Sequence, residues 1–479
     1  MDPDLEQVYR RFGFDPTPAA TDATLLGADP TEKAADRDRV PTIVDLDRER
    51  ERLDRDPEGV LRELRGVWDS QITEWQVRAA LQEARDALSS PPTFLAADAA
   101  EKRHADESQP LPPDFSFPGM DLDEIGIKPG AWKFEPAADA VGWALSWVSS
   151  KLNAPQRPPF RRHTDFASGF TYPLVGPAPG APVEVALFSD FGTGQYYSQY
   201  IARQIRQLAP AYAFHLGDVY YAGQQKEFDE NFTPFVDGLL AQTRLFLLVA
   251  NHEMMARGKP YCDYLDLKRG RFPAVQEQEG TYFRVRGERF QIVGVDTDWF
   301  GKDKLPADQV MWLADALREG RARGAANILL TANVPYEYGS AKLTKLYTRA
   351  FRPLAEEGLI DLWFWGDTHY CALFDRGAPT PFIGSCIGHA GHPFPKKALG
   401  RPEPAPIRFL ETAARFPKST GLRQDAGDPG FCTMTLRPDG TIRLRYLDWM
   451  SNLRCEAELA RPAPGAPLQL KSCTPFPEP

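Results

Sequence analysis

The chain has 479 residues, 42% of them hydrophobic and 25% charged, the balance of a soluble globular protein and too long for one ordinary domain. Its net charge of −10 argues against a general nucleic-acid binder, whose surface is basic, but not against a small phosphorylated ligand held through a cation. No apolar run reaches membrane-spanning length, and the acidic start, Met1 to Tyr9, lacks the basic and apolar regions of a secretory leader. The six cysteines are scattered, with no CxxC pair. A cytoplasmic protein with reduced thiols, away from membranes, is the expectation, and no oligomeric state is implied.

Residues 1 to 180 read as helical and loop material, distinct from the remainder of the chain. Asp45 to Asp56 is a mixed-charge run, expected as a solvated helix. From Val60, the residues Leu61, Leu64, Val67, Trp68, Ile72 and Trp75 recur at helical spacing, which predicts a helix packed through that stripe. Ser89 to Pro118 is rich in proline and polar residues and predicts a linker. Ala137 to Leu152 predicts an amphipathic helix with Trp143 and Trp147 one turn apart. The Pro/Gly-rich stretch Tyr172 to Pro182 marks a boundary.

From Val183 the texture changes. Short apolar runs predict strands at Val183–Phe188, Tyr212–Leu216, Leu245–Val249, Phe290–Val295, Ile328–Thr331, Leu362–Trp365 and Pro381–Ile383. Helical patterns separate them, with Tyr197, Ile201, Ile205 and Leu208 on one face, then Gln309 to Leu317, then Leu343 to Leu354. Strand–helix alternation predicts an α/β fold, a layered sheet with helices on its faces, over residues 181–450. Phe431–Leu436 and Thr441–Leu447 flank Pro438-Asp439-Gly440, a hairpin signal. Residues 451–479 are expected to be a tail.

Ligands of open α/β sheets bind at the carboxyl ends of strands. Here those ends carry Asp190, Asp218, Asn251, Asn333, Asp367 and His369. Carboxylates gathered on one edge repel each other unless a cation neutralises them, which is the physical argument for a metal.

The fragments Asp190-Phe191-Gly192, Gly217-Asp218-Val219-Tyr220-Tyr221, Ala250-Asn251-His252-Glu253, Asn333-Val334-Pro335 and Gly366-Asp367-Thr368-His369, in this order, resemble the purple acid phosphatases. Those belong to the calcineurin-like metallophosphoesterase superfamily. The resemblance implies two adjacent metals bridged by Asp218. The first would take Asp190, Asp218, Tyr221 and His369, and a tyrosine phenolate implies Fe(III). The second would take Asp218, Asn251 and two histidines, but Asn333 and Asp367 stand at the histidine places. Three readings stay open for this half: a harder ion such as Mn2+ or Mg2+, no ion, or replacement by His389 and His392 of the loop Gly384 to His392. His252 resembles the residue that contacts phosphate or assists the leaving group, with Glu253 orienting it; with Asp218 it forms the implied catalytic pair. His215, inside a strand, reads as buried packing. The function implied is hydrolysis of a small phosphoester. The altered half leaves open a phospho-ligand binder without turnover, or a repurposed mononuclear iron protein, redox-active or not.

Overall fold

A computed structural model describes residues 41–67, 72–89, 140–194, 196–336, 342–377, 379–392, 406–412, 427–463 and 465–476. Among the described residues four helices come first: α1 (Ile43–Arg55), α2 (Pro57–Val67), α3 (Glu74–Ser89) and α4 (Ala140–Leu152). The expected linker beyond Ser89, and Trp68 of the expected stripe, lie outside the described residues. Leu46, Leu53, Leu61, Leu64, Val77, Leu81, Trp143 and Trp147 form one buried cluster among these helices, and Trp143 and Trp147 have ring centroids 5.5 Å apart. Trp75 does not join it. The stripe is interrupted between α2 and α3, so helical periodicity cannot be counted through it, and Trp75 is left 74% exposed.

Two sheets make up the rest. The first contains β1 (Thr171–Pro173), β5 (Phe283–Arg286), β6 (Phe290–Val295), β7 (Ala326–Thr331), β8 (Leu362–Trp365), β9 (Cys371–Phe374), β10 (Ile383–Ile387) and β11 (Ile407–Leu410). The second contains β2 (Val183–Phe188), β3 (Tyr212–His215), β4 (Arg244–Leu247), β12 (Gly430–Leu436), β13 (Ile442–Asp448), β14 (Leu453–Ala460) and β15 (Gln469–Pro475). Their orders are β1-β5-β6-β7-β8-β10-β9-β11 and β15-β14-β13-β12-β2-β3-β4. Strands β6, β7, β8 and β10 run parallel, as do β2, β3 and β4.

Residue alternation explains the layering, because successive side chains of a strand face opposite sides. Val185 and Leu187 of β2, Ile328 and Leu330 of β7, and Leu362 and Phe364 of β8 meet in one core between the sheets. Their neighbours face outward onto helices. Ala186 and Phe188 pack with Tyr197, Ile201 and Ile205 of α5 (Tyr196–Leu208) and Leu265 of α7 (Lys259–Arg271). Leu329, Trp363 and Trp365 pack with Val310, Leu313 and Leu317 of α8 (Ala307–Ala322). Each fully buried side chain of this kind contributes about 1.5–3 kcal/mol, which is why both faces of the parallel strands are apolar.

Three expectations need correction. The strand expected at Pro381–Ile383 begins at Ile383 and runs to Ile387, because Pro381 has no N–H for the ladder. The helix expected at Leu343–Leu354 runs unbroken over residues 345–356, two residues later at each end than expected, with a π-helical turn at Tyr347–Phe351 leading into Arg352–Glu356. The expected tail supplies β14 and β15, which extend the second sheet by antiparallel pairing. No helix among the described residues is long and apolar enough to cross a membrane.

Candidate metal centre

The carboxyl ends of the parallel strands from both sheets meet on one rim. After β2 comes Asp190, after β3 Asp218, and after β4 comes Asn251, which starts the short helix α6 (Asn251–Met255). The first sheet brings Asp298 after β6, Asn333 after β7, Asp367 and His369 after β8, and His389 and His392 after β10. Four of these residues leave their strands in left-handed backbone: Asp190 at φ 58°, Asp218 at 76°, Asp367 at 64° and His369 at 54°. Such conformations cost non-glycine residues roughly 1–2 kcal/mol each, and their clustering is typical of functional sites. The two sheets approach closely here. A Cβ on Gly366 would lie 2.1 Å from Ser189 Oγ, and one on Gly388 would lie 2.9 Å from Asp190 Oδ2, so only glycine lets both strand ends crowd Asp190.

Tyr220 is the hub. Its hydroxyl donates to Asp190 Oδ1 at 2.8 Å, lies 3.4 Å from Asp218 Oδ2, and is 3.1 Å from His369 Nε2. His369 Nε2 is itself 3.3 Å from Asp190 Oδ1. Tyr221, the residue the resemblance implies, goes elsewhere. Its side chain packs against the N-terminal helical cluster, and its backbone N–H is held by Glu227, whose carboxylate also accepts from Ser146 of α4. The turn after Asp218 thus sends the first tyrosine inward and the second outward.

The electrostatics of this half are those of a site short of positive charge. Burial pushes the Asp218 carboxyl well above the usual range, and the charges of Asp190, Glu253 and Asp367 push it further. Tyr220 is likewise raised, first by burial and then by Asp190 and Asp218. Burial also acts to raise Asp190, but the hydrogen bond and charge of His369 outweigh it and hold that carboxyl below its usual range. A cation among these groups would relieve Asp218 and Tyr220 together.

His252 is 3% exposed, with its ring 4.4 Å from that of Tyr220. Its Nδ1 lies 2.6 Å from the Tyr221 carbonyl oxygen. A carbonyl only accepts, so Nδ1 carries the proton and Nε2 is the acceptor nitrogen. Burial lowers its pKa to about 4, against the raising effect of that hydrogen bond. Glu253, expected to orient His252, instead accepts the backbone N–H groups of Asp218 and Ala250, at 3.3 and 3.0 Å, and so ties two strand ends together. His215 is buried packing as expected, with Phe232 at 4.9 Å and Phe188 at 5.2 Å.

Of the loop histidines, His392 reaches the hub. It stacks on His369 at 3.7 Å between centroids and lies 5.1 Å from Tyr220. His389 lines a small cavity with His369, Tyr370, Cys371, Glu411 and Asp428.

The second half is built differently. Both oxygens of Asp367 face Lys302 Nζ, at 2.9 and 3.0 Å. The Asn333 amide donates to Asp298 Oδ2 at 3.0 Å. Asn251 is buried at the start of α6. Burial pushes Asp298 up to about 8, with Lys302 opposing. Sequence reasoning missed Tyr220, Asp298 and Lys302. Asp298 was within reach of the strand-end rule, since it lies three residues beyond Val295. Lys302 carried no signal, because its partner is 65 positions away.

The family model for calcineurin-like phosphoesterase matches residues 183–371. Similar solved structures include a purple acid phosphatase, PPD1, from yellow lupin (Lupinus luteus) seeds. It is 14% identical over 57% of this chain and 53% of that one, with a TM-score of 0.44. GAP50, titled the anchor in the inner membrane complex of Plasmodium, is 13% identical over 61% and 90%, at 0.43. A dimetal phosphatase from Danio rerio is 11% identical over 56% and 97%, at 0.33. The chain therefore spans about half the length of the lupin protein. Likeness at this level carries no argument about activity. A comparison with curated protein sequences gives no match.

Proposed function

We propose that the protein, whose residues 183–371 match the family model for calcineurin-like phosphoesterase, is a metal-dependent phosphoester hydrolase whose working cation is held by Asp190, Asp218, Tyr220 and His369. The observation that carries the reading is the convergence of three side chains on the Tyr220 hydroxyl.

The donor set fits a cation. Neighbouring ligands of an octahedral ion with bonds of ~2.1 Å lie roughly 3 Å apart. Tyr220 Oη, Asp190 Oδ1 and His369 Nε2 form a triangle with edges of 2.8, 3.1 and 3.3 Å. Among the described residues no group of three or more His, Cys, Asp or Glu side chains is placed to hold a metal ion; the set proposed here adds the Tyr220 hydroxyl as a donor. Two carboxylates, a phenolate and an imidazole suit a hard ion, and Fe(III) is the ion we propose. When bound, such an ion supplies charge neutralisation and Lewis acidity toward phosphoryl oxygens.

The chain's own residues do the rest. Asp190 and Asp218 are held rigidly, since Glu253 clamps the Asp218 N–H and the Asp367 N–H donates to Asp190 Oδ2 at 3.1 Å. His252, neutral near pH 7, offers an acceptor nitrogen, so its role is to take or orient a proton, not to give one. The substrate class is a small phosphoester.

The test is phosphate release from an aryl phosphate by the full chain, measured with metal content on the same sample. Release that disappears in Asp218→Ala supports hydrolysis. Binding of inorganic phosphate with no release, whatever ion is supplied, would favour a second reading: a phospho-ligand binder without turnover. The occupation of Asp367 by Lys302 is the observation that favours that alternative.

A further inference from the structure

Lys302 lies in the loop after β6, between Gly301 and Asp303, which both adopt positive φ, 102° and 65°. The loop delivers its ammonium symmetrically to the two oxygens of Asp367. The contact is not sealed: the Lys302 side chain keeps 33% of its exposure and Asp367 15%. Behind them, Asp298 and Asn333 are 1% exposed and bonded to each other. Asn333 Oδ1 and Asp298 Oδ1 are buried with no hydrogen-bond partner. Polar atoms in that state are rare, and each calls for an ion, a water or a ligand.

This half therefore has two carboxylates, an amide oxygen and one lysine ammonium. A cation bound by Asp367 would sit about where the ammonium sits, within roughly 3 Å of the same oxygens, and the two positive charges would repel. A lysine head is a compact point charge with three donors. Two carboxylate oxygens leave it at least one N–H, and its exposed side opens to solvent.

We infer that the Lys302 ammonium is a resident cation in the second half of the site: it neutralises Asp367 in place of a second metal ion and offers a donor to a phosphoryl oxygen of the bound ligand. The inference rests on the reading of the Tyr220 half as a single-cation site. It also gives Asn333 and Asp367, read from sequence as ligands of a second ion, a different occupation.

The experiment uses the full chain, stripped of metal with a chelator and titrated with Mn2+, with ions per chain counted after dialysis. Lys302→Met keeps the stem but removes the charge, and Lys302→Gln is a second neutral variant in case the first perturbs folding. The expected result is one more ion per chain in both neutral variants than in the wild type, and no gain in Lys302→Arg. Inorganic phosphate, measured calorimetrically before Mn2+ is added, is expected to bind at least about tenfold more weakly to Lys302→Met, the loss of one charge-assisted hydrogen bond. No gain of an ion in either neutral variant overturns the substitution. A gain with unchanged phosphate affinity overturns the ligand contact. Failure of the hydrolase reading is distinguishable: it shows as absent phosphate release in the wild type while the difference in ion count persists.

Discussion

Changing Tyr220 to Phe removes one oxygen from the centre of the site. That hydroxyl donates to Asp190, which is 0% exposed, at 2.8 Å. A hydrogen bond to a buried charged group is worth about 1.5–3 kcal/mol. Asp190 keeps the Asp367 N–H and His369, so the low end, about 1.5 kcal/mol, applies to the metal-free protein. For a domain of this size that is roughly a 3–6 °C fall in Tm. The effect on metal is larger, because the phenol is a proposed ligand. Loss of a residue that only supports a ligand already costs about 10–100-fold in affinity, so Tyr220→Phe should lose at least about 100-fold. Tyr221→Phe is the paired control, since its ring packs on the N-terminal helices. The assay is metal content after dialysis, together with the visible band of an iron–phenolate pair. Retention of both metal and band in Tyr220→Phe, with their loss in Tyr221→Phe, would refute the assignment.

Further outcomes concern stability. Lys268 is fully buried, and its ammonium donates to the Leu245 carbonyl at 2.6 Å. Burial lowers its pKa to about 7 from 10.5. The unfolded chain therefore binds the extra proton between these values, and stability should rise with pH across that window, by on the order of 5 kcal/mol. Below pH 7 the penalty is fully present. Denaturant titrations of Lys268→Met should lack this slope, and equal slopes in variant and wild type would disprove it. Asp361, 0% exposed, anchors Arg321, Arg376 and Arg461. Asp361→Ala strands three guanidinium groups and should cost about 3–5 kcal/mol in equilibrium unfolding; a much smaller loss would show that water replaces the carboxylate. Gly388→Ala should weaken metal retention at little cost elsewhere, because its Cβ would press on Asp190 Oδ2 and the His369 N–H; unchanged metal content would count against the tight approach.

Much of the fold was legible because its signals are local. Leu362–Trp365 is apolar throughout, and Val183–Phe188 is apolar but for the exposed Glu184 near its start, as strands largely covered on both faces must be. Their ends in Asp190, Asp218 and Asp367 could be placed on one rim by the rule for α/β sheets alone. What escaped depended on turns and on distance. Tyr220 and Tyr221 are adjacent, and only the path of the chain after Asp218, itself at positive φ, decides which ring enters the site. Lys302 meets Asp367 through a loop that has no pattern of its own. Strand β14 does carry a signal, since Cys455, Ala457 and Leu459 alternate and all face the inter-sheet core, but its place beyond the hairpin makes it read as tail. Trp75 fails for the opposite reason: a helical period does not extend across a break between helices.

The most direct test of the central claim is the metal count of the purified full chain, with phosphate release from an aryl phosphate assayed on the same sample and on Asp218→Ala. The expected result is one ion per chain, held through Asp190, Asp218, Tyr220 and His369, with release and ion both lost in the variant. An ion retained in full by Asp218→Ala, or no release from the wild type with any of Fe(III), Mn2+ or Mg2+, would contradict it.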